Sequence, residues 1–216
     1  MKKILIILFV LTMTFSSSAH ADWNVQYMTD EELIDFRQAV NEELLFRRLA
    51  EAPSASDARP ISEFFPDPVL AGIVCGEVGA IDTTATIAQE ELDTIKEINV
   101  LSKDDGLTSL EGIEYLHGLK KLSLYYQSGL TEIPESIGTL VNLKKISFEK
   151  CGISELPASI CNLTNLKELN VSNTAISVLP EDIGNLYNLE VLNIKETIIE
   201  ELPDSIKYLS LEKFYR

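Results

Sequence analysis

The chain of 216 residues is poor in the side chains that catalysis and metal binding draw on, with two histidines, three cysteines and one tryptophan. The usual zinc sites take four ligands at tight spacings, mostly from His and Cys, and no such cluster is present. Lys and Arg number 18 against 34 Asp and Glu, a formal charge of −16. No basic segment stands apart, so a phosphate backbone is repelled and nucleic acid is excluded as a partner. A Gly-rich phosphate loop, a G-x-S-x-G elbow and a paired-histidine motif are all missing. These absences predict a non-catalytic protein without cofactor or metal. Nor does any apolar run reach the ~20 residues that a membrane-spanning helix needs. Against this stands an apolar content of 45%, sufficient for a packed core.

Residues 1–21 read as a secretory signal peptide. Lys2 and Lys3 precede an apolar run from Ile4 to Leu11, a Ser-rich stretch and the small-residue site Ala19-His20-Ala21. Cleavage after Ala21 leaves His117 as the one histidine, and no cysteine lies nearby to carry a lipid anchor. The expected location is therefore outside the cytoplasm: extracellular, periplasmic or at the cell surface. Residues 22–50 form a candidate amphipathic helix, with Thr29 and Glu32 as a capping box, Met28 and Leu33 as its hydrophobic staple, and a stripe of Leu33, Phe36, Val40 and Leu44. Such a helix either docks on the following domain or binds a partner. Residues 51–60, EAPSASDARP, have linker composition.

The remainder repeats. Leu119, Leu143, Leu166, Leu189 and Leu211 start units spaced by 24, 23, 23 and 22 residues. Each complete unit places apolar residues at positions 1, 4 and 6 and then near 11, 14, 17 and 20. The second unit has Leu143, Ile146, Phe148, Ile153, Leu156, Ile160 and Leu163. Prolines recur at Pro134, Pro157, Pro180 and Pro203, and asparagines at Asn142, Asn165 and Asn188. An irregular earlier unit runs from Ile95 through Ile98, Val100, Leu107, Leu110, Ile113 and Leu116. Alternation at positions 4 and 6 marks a short strand with one face inward. Proline then presets the backbone for a turn or short helix on the far side. A single unit cannot bury its own apolar face, so the units must stack.

This pattern resembles the leucine-rich repeat family, L-x-x-L-x-L-x-x-(N/C/T)-x-L, across residues 95–216. The Leu-Pro-x-x-Ile-x-x-Leu strings are similar to the 23-residue class of plant immune receptors and Ras-scaffold proteins. The family's asparagine-ladder position holds Cys151, Thr174 and Thr197, which makes Cys151 an interior residue rather than a nucleophile. Upstream, FPDPVLAGIVCGEV and TIAQEELDTIKEINV resemble the helical amino-terminal cap of internalin-like bacterial surface proteins, assigned here to residues 61–94. Asp67 suits a helix N-cap with Pro68 at the first helical position, and Val69, Leu70, Ile73 and Val74 form the covering stripe. The implied fold is an α/β solenoid, a leucine-rich repeat horseshoe with short parallel strands on its concave face, preceded by a helical cap. The last unit is incomplete: Leu211 to Arg216 begins a strand without a covering helix. Either the frame is truncated, or this end pairs with another chain, or the strand is itself the lid.

Outward strand positions form columns along the concave face. Position 5 reads Asn99, Ser123, Ser147, Asn170, Asn193; position 7 reads Leu101, Tyr125, Glu149, Ser172, Lys195; position 8 reads Ser102, Tyr126, Lys150, Asn173, Glu196. The candidate partner-binding residues are Tyr125, Tyr126, Glu149, Lys150, Asn170, Asn173, Asn193 and Lys195, with the two tyrosines as anchors because large, partly polar rings dominate interface energetics. The expected partner is a protein or peptide. The alternatives are a glycan stacked on the tyrosines, inhibition of an enzyme by plugging its cleft, and service as the binding part of a longer protein. Cys151 and Cys161 are expected to remain unbonded, one near the strand end and the other across the solenoid.

Overall fold

The structure is a computed structural model that describes residues 58–101 and 106–216. The expected signal peptide, the 22–50 helix, residues 51–57 of the linker, and Ser102 lie outside the described residues.

The cap begins with a two-residue strand, β1 (Arg59–Pro60), paired antiparallel with β2 (Thr86–Ile87). Between them lie α1 (Ile61–Phe64) and α2 (Pro68–Val78). The second helix starts where the sequence places it. Asp67 Oδ1 accepts hydrogen bonds from the Val69 and Leu70 amides at 2.9 and 3.1 Å, with Pro68 at the first position. It stops at Gly79, whose φ of 69° lets the Ala80 amide reach back to the Cys75 carbonyl at 2.9 Å. Leu70 and Val74 are fully buried, and Val69 and Ile73 pack partly against the same core. The short α3 (Gln89–Leu92) leads into the repeats.

Six parallel strands follow in chain order: β3 (Glu97–Val100), β4 (Lys121–Tyr125), β5 (Lys145–Glu149), β6 (Glu168–Asn170), β7 (Val191–Asn193) and β8 (Lys213–Tyr215). Their register is one-to-one with the repeat phase: Ile98, Leu122, Ile146, Leu169, Leu192 and Phe214 pair in sequence. Every inward residue of the second and third units is buried, and so are those of the irregular unit from Ile95 to Leu116. After Pro134, Pro157 and Pro203 the chain turns into 3-10 helices at Glu135–Thr139, Ala158–Asn162 and Asp204–Tyr208; the Pro180 unit has a shorter one, Ile183–Asn185. Pro134, Pro157 and Pro203 sit near φ −65°, the value the ring imposes.

The recurring asparagines are hooks between units. Asn142 Nδ2 donates to the His117 carbonyl at 2.8 Å, Asn165 to Val141 at 2.9 Å and Asn188 to Thr164 at 2.8 Å. In the last unit Leu202, Ile206, Leu209 and Leu211 are only partly buried, while Tyr208, Phe214 and Tyr215 are exposed.

Candidate functional site

The concave face is built by the outward positions of β3 to β8. Its aromatic centre is a preformed cluster. The rings of Tyr125 and Tyr126 meet edge to face, with centroids 4.4 Å apart at 82°. One unit along, Lys150 Nζ donates to the Tyr125 hydroxyl at 3.0 Å and lies 5.1 and 4.6 Å from the two ring centroids. Hydrogen bonds to Tyr125 and then Tyr126 raise the Lys150 pKa above its ordinary value, so the ammonium stays charged. Cation–π attraction fixes its position over the rings. One residue past the end of β3, Leu101 is 66% exposed.

Tyr126 and Lys150 reach this arrangement through an unusual backbone. Position 8 is left-handed in four successive units, with φ of 59° at Tyr126, 58° at Lys150, 57° at Asn173 and 55° at Glu196. Only asparagine among these adopts that region readily; for the others it costs roughly 1 kcal/mol or more. Nothing in the residue types announces it. The tight exit from the strand demands it whatever side chain is present. Replacing the exposed Glu196 by asparagine is therefore expected to raise stability by about 0.5–1 kcal/mol in urea unfolding; a loss of stability would show that the exit is not strained.

Two of the candidate residues also serve the fold. Asn170 Oδ1 accepts from the Ser172 amide at 3.0 Å and the Ser172 hydroxyl at 2.8 Å, and Asn193 Oδ1 accepts from the Lys195 amide at 3.1 Å. Each captures the backbone two residues ahead, as asparagine does in turns. The pairing between β4 and β5 runs on to Tyr125 opposite Glu149, while that between β6 and β7 ends at Asn170 opposite Asn193. Asn170 Nδ2 also reaches Glu149 Oε2 at 3.3 Å, linking Glu149 to its neighbour strand. Asn173 is half-buried and Lys195 is exposed, both beyond the aromatic cluster.

The ladder residues beneath this face are buried at Gln127, Cys151 and Thr174 and half-buried at Thr197. Thr174 and Thr197 donate to the carbonyls of Val171 and Ile194, both at 2.7 Å, and the Cys151 thiol reaches the Leu124 carbonyl at 3.7 Å. The first unit fills the same place with Gln127, whose Nε2 donates to the Tyr125 carbonyl at 3.0 Å. Counting eight residues from Leu119 finds it. Burial pushes the Cys151 thiol up to about 11 and the Cys161 thiol up to about 12, so neither is a thiolate nucleophile at neutral pH. Cys75, Cys151 and Cys161 are all free and buried.

Among the described residues no His, Cys, Asp and Glu cluster could hold a metal, and no helix is long and apolar enough to cross a membrane. His117 Nδ1 stands 3.1 Å from Asp93 Oδ1 under the cap, away from the concave strands.

Comparison with known proteins agrees with this architecture. The family model described as the leucine-rich repeat domain of the endo-β-N-acetylglucosaminidase EndoS matches residues 65–197. Internalin H of Listeria monocytogenes is 34% identical over 73 residues, which are 34% of this chain and 13% of the length of that protein. The crystal structure of internalin C2 from the same species matches with a TM-score of 0.51 at 24% identity, covering 75% of this chain and 80% of the other. That likeness is one of fold. The leucine-rich repeat ectodomain of the Arabidopsis thaliana receptor kinase GASSHO1/SCHENGEN3, solved in complex with CASPARIAN STRIP INTEGRITY FACTOR 2, matches with a TM-score of 0.51 at 25% identity, over 57% of this chain and 16% of that one.

Proposed function

Since the chain belongs to the leucine-rich repeat family, of internalin-like type, we propose that it is an exported binding module that takes a protein or peptide on its concave face and performs no chemistry of its own. The observation that carries this reading is the cluster of Tyr125, Tyr126 and Lys150, rigid before any partner arrives. Preorganised aromatic anchors lose little entropy on binding. Export rests on the amino-terminal pattern of Lys2, Lys3, the apolar run and Ala19-His20-Ala21. The plant ectodomain, captured with its factor, is a precedent for a partner held by a repeat array.

A photo-crosslinking residue at position 125, with a control at the exposed Asp182 on the opposite side, tests the proposal. Adducts are expected from the first position alone. The Tyr125→Ala/Tyr126→Ala variant should bind the adduct protein at least ~10-fold more weakly, since each buried aromatic anchor contributes 1–2 kcal/mol or more. Adducts confined to position 182, or an unchanged affinity in the double variant, would overturn the concave-face reading. Binding to a glycan array that the double variant abolishes would replace the protein partner with a carbohydrate.

A further inference from the structure

The lysines of the repeats are scattered in the sequence as Lys96, Lys120-Lys121, Lys144-Lys145 and Lys167, so no basic run appears. Stacking gathers them. The Lys120 amide donates to the Lys96 carbonyl at 2.7 Å, the Lys144 amide to Lys120 at 2.8 Å and the Lys167 amide to Lys144 at 2.8 Å. These four residues therefore form one column at the leading edge of the concave sheet, with strands about 4.8 Å apart. Lys121 and Lys145 pair in a second column immediately beside it. A chain with a formal charge of −16 thus carries a concentrated cationic strip, contrary to the expectation that no basic patch exists.

Acidic residues hold part of the strip but not its middle. Glu97 pairs with Lys121 at 3.4 Å, Glu168 with Lys145 at 2.7 Å and Glu190 with Lys167 at 2.5 Å, while Lys96 Nζ bonds the Asp93 carbonyl. Lys120 and Lys144 are exposed and have no side-chain partner among the described residues. They stand on adjacent turns with Lys121 and Lys145 next to them, so like charges repel and the site favours an anion.

We infer that this strip, from Lys96 to Lys167 and centred on Lys120 and Lys144, docks an acidic peptide segment of a protein partner. The inference rests on the proposed concave-face reading and adds the chemistry of the partner. The net negative charge of the protein as a whole repels such a segment, so the strip also orients it on approach. A peptide fits the site better than an anionic polysaccharide, because the strip offers ammonium groups without an aromatic platform beside them.

A fluorescein-labelled dodeca-glutamate peptide is the probe, read by anisotropy with residues 58–216 present as part of the full chain. Saturable binding is expected at 20 mM salt, falling at least ~10-fold at 200 mM as screening sets in. Lys120→Gln/Lys144→Gln should weaken it about 10-fold, while the charge-matched control Lys207→Gln/Lys213→Gln should change it less than 2-fold. Thermal unfolding of both variants confirms that they fold. Absence of binding at 20 mM salt, equal loss in the two variants, or tighter binding of polygalacturonate of matched charge would overturn the proposal. The two readings separate in one comparison. If Tyr125→Ala/Tyr126→Ala weakens the crosslinked partner and Lys120→Gln/Lys144→Gln does not, the strip is wrong and the aromatic site stands; the opposite pattern sinks the aromatic site alone.

Discussion

Replacing Gly112 by alanine is expected to destabilise the protein by about 3–5 kcal/mol, the sum of a left-handed backbone penalty and an unrelieved clash. Gly112 precedes the 3-10 turn Ile113–Tyr115 with φ of 90°. A Cβ there would lie 1.9 Å from the Phe64 carbonyl oxygen and 3.1 Å from Phe65 Cδ1. This is the point where the cap rests on the irregular unit that opens the array. Phe64 packs edge to face on Tyr115 with centroids 4.9 Å apart, and the Arg59 guanidinium lies 4.1 Å from the Phe64 ring. The obstacle is backbone, so no rotamer change relieves it; only separation of cap from repeat does. The urea midpoint measures the effect. A loss below about 1 kcal/mol would mean that the cap sits on the array more loosely than its contacts indicate.

Asp67→Ala carries the second large effect, about 3 kcal/mol, because one side chain serves two elements. Its Oδ1 caps α2, while Oδ2 accepts from the Thr108 amide at 2.9 Å, the Thr108 hydroxyl at 2.8 Å and the Ser109 amide at 3.0 Å in the irregular unit that opens the array. Losing a helix cap costs about 1 kcal/mol and losing hydrogen bonds to a buried carboxylate about 2 more. Burial pushes this carboxyl upward, but the bonds from Thr108, Leu70 and Ser109 together outweigh it and hold it below its ordinary 3.8. A depressed folded value means that its stabilisation is complete above the unfolded value and disappears as pH falls through the folded one. The stability gap between the wild type and Asp67→Asn should therefore be widest above about pH 5 and narrow only as pH falls below the ordinary 3.8. A gap that stays constant over that range would show that charge is not what Asp67 contributes.

Much of this fold was legible because one constraint recurs. A residue that must face inward in every unit appears as an aliphatic or Phe at a fixed phase, so Leu143, Ile146 and Phe148 could be placed by counting, and Asp67-Pro68 declared the start of the cap helix. The outward face was harder to read. Tyr125, Tyr126 and Lys150 could be assigned to adjacent units, but their mutual packing depends on the left-handed exit at position 8, which Tyr, Lys and Glu do not signal. Asn170 and Asn193 looked like ligand contacts because they share a column with small polar residues. Their side-chain oxygens also accept from the Ser172 and Lys195 amides, a local role that an Asx turn two residues ahead could have suggested. Gln127 was missed at the ladder because glutamine lies outside the usual set for that place. The lysine strip had no linear signature at all. Its members lie some 24 residues apart in the chain and become neighbours only through the sheet.

The asparagine hooks bear on ancestry as well as on architecture. Asn142, Asn165 and Asn188 each grasp a carbonyl one rung back, so the rungs of Asn142 and Asn165 carry both a hook and the eye for the next. A copied stretch of gene of that length would slot into the ladder already fitted, leaving the older rungs in place. Recombination can then lengthen the wall, while point changes at outward letters rewrite what it reads.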